Sequence, residues 1–543
     1  MTSASNKKRA LGVFAGTAVF ALALAGCAPS GDDNGGGDAS GESLIVGTTD
    51  KVTFIDPAGS YDNGSFAIMN QVYPFLLNSP QGTSDVEPDI AVSAEYTSDT
   101  EYTVVLKEGL KFANGNDLTS SDVKFSFERQ LTIADENGPS VLLGNIASID
   151  TPDDTIIVFT LNNGNDQTFA QILSSPAAPI VDEEVFSADS VTPDADIVAG
   201  NAFAGQYIIT SYDFNNLVSF EANPEYQGVL GAAATKNIDL KYYTDASNLQ
   251  LDVQEGNIDV AHRSLSATDV ADLEGNDNVN VVVGPGGEIR YIVFNFNTQP
   301  YGATTPEADA AKALAVRQAV ANLVDRQELS DQVYKGTYLP LYSYVPDGLT
   351  GATQVLKDLY GDGDGGPDSD KAAQVLADAG VTTPVALNLQ YNPDHYGESS
   401  GDEYALVKSQ LEATGLFTVN LQSTEWVTYS KDRTADLYPA YQLGWFPDYS
   451  DADNYLTPFF TTDNFLVNHY DNPEVNQLIL DQAVEQDAAT RQSDIEEIQA
   501  QVAADLSTVP LLQGAQIAVT GKDVTGAVLD GSFKFRYGSL VKG

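Results

Sequence analysis

The sequence predicts an α/β protein with mixed sheets and more than one lobe. Apolar runs rich in β-branched residues are interspersed with segments whose apolar residues recur every three or four positions, and no fixed repeat relates them. About 517 residues follow the first 26, more than a single hydrophobic core usually accommodates. The hydrophobic fraction of 42% is typical of a globular chain, so we expect a folded body rather than an acidic disordered one.

The first part of the chain is predicted to be rich in strands. Apolar and β-branched runs predict strands at residues 43–49, 101–106, 155–161, 205–221 (a pair with its turn at 213–216), 237–243, 279–283 and 290–296. Apolar residues at helical spacing predict helices at residues 66–77, 119–131 and 248–256. Thr119 and Asp122 suit the start of the second helix, because a hydroxyl caps free amides and an early carboxylate favours the helix dipole.

The second part is predicted to contain more helix. Helical patterns cover residues 307–324, 328–334, 370–379, 403–414 and two segments within 474–506, and strands are predicted at 386–391, 509–513 and 517–520. Gly380 and Gly415 suit helix C-termini, since glycine adopts the left-handed backbone there without strain. Strands and helices therefore mix along the whole chain.

The N-terminus has the features of a secretory signal. A basic start at Lys7–Arg9 is followed by an apolar run at 11–25, shorter than the roughly 20 residues of a spanning helix. Leu24-Ala25-Gly26-Cys27 then resembles a bacterial lipobox, which implies cleavage after residue 26 and lipidation of Cys27. Residues 27–42 are predicted to be a flexible linker rich in Gly and Ser. Cleavage elsewhere and an uncleaved membrane anchor are the alternatives.

Composition argues against several classes of function. The chain has 26 Lys and Arg against 77 Asp and Glu, a net charge of −51, so nucleic acid is not an expected partner. One cysteine excludes a disulfide within the chain. The three histidines lack metal-ligand spacing, no Gly-x-Ser-x-Gly elbow is present, and the acidic stretch 362–368 fails the EF-hand pattern. No metal, cofactor or catalytic residue is predicted.

Several motifs point to one family. They are Leu-Lys-Glu-Gly-Leu-Lys-Phe with the Thr-x-x-Asp-Val helix start in 106–129, Phe-Asn-Phe-Asn in 294–300, Val-Arg-x-Ala and Asp-Arg in 315–326, the helix in 368–380, and Gly-Trp-Phe-Pro-Asp in 443–456. In this order they resemble the extracellular solute-binding proteins, family 5, of peptide, dipeptide and nickel ABC importers. The resemblance extends over most of the chain.

This resemblance implies a two-lobed clamp of the periplasmic-binding-protein type with a two-strand hinge. Lobe I is expected at 43–296, with an inserted subdomain at about 78–200, lobe II at 297–490, and the return to lobe I at 491–543. The implied function is that of a monomeric lipoprotein, not an enzyme, on the outer face of the cell membrane. It would capture dipeptides or oligopeptides between its lobes and deliver them to an ABC permease and its ATPase.

The resemblance also assigns candidate ligand contacts. In peptide-binding members, the acid three residues after the tryptophan of the Gly-Trp pair holds the ligand α-ammonium, and here that acid is Asp448. Gly444 would offer backbone groups, and Trp445, Phe446 and Tyr449 would form aromatic walls. The alternative for this segment is a solvated acidic loop. Ala452 stands where the family often has proline, and Pro447 is an unusual addition.

Further candidates lie in the predicted first lobe. Lys51 and Phe54 follow the first strand, and Arg263 and Ser264 follow the stretch Gly256-x-Ile-Asp-Val, with Arg263 suited to a ligand carboxylate. For each of them a loop position without ligand contact is the alternative. Two rival functions stay open: binding of another solute such as an oligosaccharide, and hydrolysis of cell-wall material by paired carboxylates.

Overall fold

The structure, a computed structural model, describes residues 43–543 apart from positions 264, 394, 398 and 463. It confirms the α/β class with mixed sheets. The predicted signal, linker and lipidated Cys27 lie outside the described residues and stay predictions. Within 43–543, no helix is both long and apolar enough to cross a membrane.

The strands, in chain order, are numbered β1 to β19. They are Leu44–Thr48, Leu77–Asn78, Glu87–Pro88, Ala91–Tyr96, Glu101–Leu106, Ile146–Asp153, Ile156–Leu161, Tyr207–Asp213, Leu217–Ala222, Asn237–Tyr242, Val260–His262, Val279–Phe294, Tyr338–Pro340, Val385–Tyr391, Phe417–Ser423, Ala440–Trp445, Thr508–Gly521, Val524–Thr525 and Val541–Lys542.

The α-helices are numbered α1 to α15. They are Asn63–Val72, Ser120–Ile133, Phe169–Ile172, Asp194–Gly200, Ala246–Glu255, Ala267–Glu274, Ala310–Leu323, Arg326–Leu329, Val355–Leu359, Ser369–Asp378, Ser400–Glu412, Trp426–Thr434, Asp453–Phe460, Pro473–Gln482 and Ala488–Asp505. Short 3-10 turns occupy Pro57–Gly59 and Ser140–Leu143, and a π turn occupies Ser330–Tyr334.

One large mixed sheet runs through most of the molecule. Its strand order is β15-β14-β16-β12-β17-β11-β1-β10-β9-β8, with β13 attached to β17. The two central strands, β12 and β17, are 16 and 14 residues long and pair antiparallel along most of their length. A separate antiparallel sheet has the order β4-β5-β7-β6.

The long central strands connect separate hydrophobic cores. The far end of β12, from Ile289 to Phe294, belongs to a core built from residues between 289 and 512. Ala518 of β17 belongs to a second core that joins residues 44–260 to residues 518–540. A third core, between Phe75 and Ala204, contains the four-stranded sheet. The two strands are therefore the crossover pair expected of the hinge, whereas the exact lobe boundaries stay predictions.

Several expectations about secondary structure are wrong in detail. The strands predicted at 279–283 and 290–296 form one strand, β12, because it pairs with β17 on both sides of a register shift between Pro285 and Ile289. The strands predicted at 509–513 and 517–520 likewise form one strand, β17. The helix predicted at 66–77 spans Asn63–Val72 instead. Asp62 caps its start, and Pro74 disfavours helical backbone at the residue before it.

Candidate functional site

A cavity of about 1020 Å³ lies beside the central strand pair. Its wall combines Glu288 of β12 and Gly514 of β17 with Tyr61, which precedes α1, and with residues 444–450, which end β16 and continue into the next loop. Residues of several cores therefore face one space. A cleft at the junction of packed units is the usual place for a ligand.

Gly444 is required by close packing. It lies on β16 opposite Arg290 of β12, and a β-carbon there would come within 2.8 Å of the Ile289 carbonyl and 2.9 Å of the Tyr396 ring. The Gly444 carbonyl accepts a hydrogen bond of 3.1 Å from the Tyr396 hydroxyl. Gly444 therefore has less hydrogen-bonding capacity for a ligand than the sequence led us to expect, because its carbonyl already has a partner.

Asn454 orders the segment that follows. Its side-chain oxygen accepts hydrogen bonds from the indole N–H of Trp445 at 3.0 Å and from the backbone N–H of Asp448 at 2.9 Å. The Trp445 ring packs edge-to-face on Phe459, with ring centres 5.0 Å apart. Asn454 is buried, and the sequence reasoning missed it. The one feature of the sequence that could have pointed to Asn454 is its position in the acidic stretch that follows the Gly-Trp pair.

Asp448 presents its carboxylate to the cavity. One oxygen accepts from the Asn454 amide at 3.1 Å, and the other accepts from the hydroxyl of Tyr61. No cation of the described chain pairs with it. Burial raises the pKa of Asp448 to about 6, although the Asn454 hydrogen bond lowers it. A half-buried carboxylate without a cation is an electrostatically costly group that a ligand cation would stabilise.

The other acids of this loop have partners within the protein. Arg491 donates to both carboxylate oxygens of Asp451, at 2.8 and 2.9 Å. Asp453 is buried and accepts from the hydroxyl of Thr457. Burial raises the pKa of Asp453 to about 6. The loop therefore differs from the solvated acidic loop considered as the alternative.

The aromatic residues of the loop line the same cavity. Phe446 is 40% exposed and stacks on Tyr396 with ring centres 6.4 Å apart. Tyr449 packs against the core that contains Phe75. Their rings give the cavity apolar walls close to the Asp448 carboxylate.

Only one of the described candidates from the predicted first lobe lies in the cavity wall. Arg263 lines the cavity, where its guanidinium forms an ion pair of 2.8 Å with Asp50. Lys51 and Phe54 do not belong to the cavity wall, and the Lys51 ammonium donates to the Tyr243 carbonyl at 3.1 Å. Ser264 is outside the described residues. The structure therefore brings Gly444, Trp445, Phe446, Asp448, Tyr449 and Arg263 together around one space.

A buried ionic network forms another part of the wall. Arg290 donates to Glu403 at 3.1 Å, to Glu288 at 3.1 Å and to the hydroxyl of Tyr334 at 2.6 Å. Its guanidinium also lies 4.6 Å from the centre of the Tyr338 ring. Burial raises the pKa of Glu403, against the effect of Arg290. Sequence reasoning missed this network because its members lie far apart in the chain.

A stacked aromatic group completes the wall. The His395 ring lies flat on Trp426, with ring centres 3.8 Å apart, and both line the cavity. His262 stacks on Phe535 at 4.0 Å, and burial lowers its pKa to about 3. These four aromatic residues are far apart in the sequence and follow no periodic pattern, so the sequence did not reveal that they stack.

A two-lobed solute-binding protein is the class that this fold and cavity define. A family described as bacterial extracellular solute-binding proteins, family 5, matches residues 85–466. The chain belongs to this family.

Individual relatives agree in extent but differ in ligand. The Escherichia coli K12 protein named "Probable D,D-dipeptide-binding periplasmic protein DdpA" is 25% identical over 502 residues, which is 90% of this chain and 91% of that protein. Heme-binding protein A of Haemophilus influenzae is 26% identical over 434 residues, 73% of each chain. The structure of HbpA2 from Haemophilus parasuis has a TM-score of 0.79 at 21% identity and covers 92% of this chain and all of that one.

Proposed function

We propose that this protein captures peptides with a free α-amino group and delivers them to the permease of an ABC importer. The observation that carries the proposal is the Asp448 carboxylate, which faces an aromatic-walled cavity and pairs with no described cation. An α-ammonium would form a charge-assisted hydrogen bond with it. The family consists of solute-binding proteins, which supports binding rather than catalysis.

The proposed mechanism is closure of the two lobes around the β12–β17 pair. Tyr61 approaches the cavity from the segment before α1, and Asp448 approaches from the loop after β16, and their side chains meet by a hydrogen bond. A ligand that contacts both segments stabilises the closed state more than the open one. The permease would then receive the closed, loaded form.

The remaining parts of the proposal concern location. Lipidation of Cys27 would hold the protein at the outer face of the cell membrane, and residues 28–42 would give it a flexible tether. Lobe I would span 43–296, with the insertion at about 78–200, and would include the return at 491–543. Lobe II would span 297–490.

A variant with Cys27→Ser should leave the membrane fraction and be found in the medium when the two fractions are compared.

The test of binding is calorimetric titration of the protein lacking residues 1–26 with alanine dipeptide to pentapeptide. At least one length should bind, and small-angle scattering should show a smaller radius of gyration in its presence. The peptides should be recovered intact by mass spectrometry. Hydrolysis of a bound peptide, or binding of an oligosaccharide instead, would contradict the proposal.

Binding should weaken in acid. Because only ionised Asp448 attracts an ammonium and its pKa is about 6, affinity for a free-amine peptide should fall as the pH drops below 6, by up to about tenfold per pH unit. Near Asp448 lie Tyr449 and Tyr455, whose pKa burial raises well above its usual value so that they stay neutral, and Asp453, whose pKa is also about 6. Calorimetry from pH 8 to pH 4.5 measures this profile. An Asp448→Asn variant should lose it, and retention of the same profile would assign it to another group.

A further inference from the structure

Lys534 is a buried lysine in the wall of the same cavity. It is 8% exposed and lies in the C-terminal segment beyond β18. Its ammonium donates to the Ser174 carbonyl at 2.7 Å and to the side-chain oxygen of Asn78 at 3.2 Å, and it lies 5.3 Å from the centre of the Phe75 ring. An ammonium has three N–H donors, so these two hydrogen bonds leave one for another acceptor.

The other cations in the described part of the wall have carboxylate partners. Arg263 pairs with Asp50, and Arg290 pairs with Glu288 and Glu403. No carboxylate among residues 43–543, masked positions excepted, forms an ion pair with Lys534. Within this described wall, Lys534 is thus a cation without a counter-charge, as Asp448 is an anion without one. A buried charge is normally paired, because desolvation otherwise disfavours its charged form.

Burial disfavours the charged form of Lys534. It lowers the pKa of the ammonium to about 7, and the positive charge of Arg536 acts in the same direction, whereas the negative charges of Asp89 and Asp530 raise it. Arg536 is itself engaged, since it donates to the Ser79 carbonyl at 2.8 Å and lies 3.7 Å from Asp530. A carboxylate delivered to Lys534 would restore its charged form.

Small polar residues form the cavity wall on the side of Lys534. The cavity wall near Lys534 includes Ser79, Ser174, Ser175 and Ser532, whose side chains are short. The cavity of about 1020 Å³ is large enough to hold a peptide in contact with both Lys534 and the Asp448 loop.

We propose that Lys534 is the subsite for a carboxylate of the ligand, so that the cavity selects molecules carrying an ammonium at Asp448 and a carboxylate at Lys534. This inference rests on the proposed peptide function for its ammonium half. The carboxylate is either the C-terminus of a peptide or an acidic side chain. Both present the same two oxygens to the ammonium.

The experiment compares wild type with Lys534→Met by calorimetry, using three sets of probes. They are alanine peptides as free acids, the same peptides as C-terminal amides with and without one aspartate, and non-peptide acids such as succinate and galacturonate. Wild type should bind a carboxylate-bearing probe at least about tenfold more tightly than its uncharged counterpart, and Lys534→Met should remove this discrimination. A preference for acids over plain amides identifies the C-terminus, and rescue of an amide by aspartate identifies a side chain.

Controls separate ligand binding from folding. Lys111→Met, on an exposed lysine paired with Asp117, should keep the discrimination. If Lys534→Met does not fold, Lys534→Gln replaces it, and wild type alone gives a second readout. At pH 7.5 a peptide acid should take up more protons on binding than its C-terminal amide, seen as different heats in phosphate and Tris buffers, because only the acid raises the pKa of Lys534 from about 7, whereas both carry the α-amino group.

Each outcome decides between the two proposals. Equal affinity of wild type for peptide acids, amides and aspartate amides would overturn the Lys534 subsite and leave peptide binding intact. Binding of non-peptide acids alone, lost in Lys534→Met, would support the subsite and overturn peptide capture. If wild type binds no probe of any set, both fail. Discrimination that survives in Lys534→Met would assign the carboxylate to another cation.

Discussion

Replacing Asp448 by asparagine should weaken binding of a free-amine peptide by at least about thirtyfold, equivalent to about 2 kcal/mol. That is the lower end of the usual loss when one partner of a buried, hydrogen-bonded charge pair is removed. Asparagine keeps the shape and an acceptor oxygen, so the Asn454 and Tyr61 neighbours stay in place. The effect is therefore expected to come from charge, and calorimetry with the same peptide measures it.

The N-acetylated form of that peptide is the matched control. It carries no ammonium, so its affinity, lower at the outset, should change little between wild type and Asp448→Asn. Asp117→Asn, which removes an exposed carboxylate outside the cavity wall, should leave both peptides unaffected. An equal loss for the acetylated and the free peptide would remove Asp448 from its assigned role.

Replacing Arg290 by methionine should destabilise the protein by about 3–5 kcal/mol, because it leaves the fully buried Glu403 without its cation. Glu288 would lose the same partner. The midpoint of urea unfolding should fall accordingly, with the fluorescence of the tryptophans as the signal. Since Arg290 lies on β12 opposite Gly444, peptide binding should weaken as well.

Two further variants isolate the cause. In Arg290→Met with Glu403→Gln, the buried carboxylate is neutral, so a large part of the lost stability should return. Arg263→Met removes a cation from the same cavity wall, but one in a partly exposed pair, and should cost no more than about 1 kcal/mol. Similar losses for Arg290→Met and Arg263→Met would show that the buried network contributes little.

Local patterns in the sequence predicted much of the fold. The strand at 101–106 is found as predicted, and Thr119 caps α2 in a reciprocal capping box with Asp122. Such features depend on neighbouring residues alone. The unbroken course of β12 through Gly284–Gly287 depends on β17, more than 220 positions away in the chain, whereas the two apolar runs on either side predicted separate strands.

The candidate site was predictable to a similar extent. The Gly444–Tyr449 segment could be found because its residues are contiguous and carry the family motif. Lys534 and Arg290 could not, since an isolated basic residue in the sequence does not show which acids lie nearby. Whether a charged side chain of the cavity wall is paired depends on its neighbours in space. Glu403 beside Arg290 and Ser174 beside Lys534 are brought close only by the tertiary structure.

The position of β17 in the large sheet has a consequence for how the chain folds. This strand follows β1 to β16 along the chain, yet it lies between β12 and β11 and supplies residues to more than one core. Neither core can be complete until about 500 residues have been synthesised. The pairing of such distant segments favours slow folding, and a chain that ends before Thr508 would leave sheet edges exposed at the centre of the molecule.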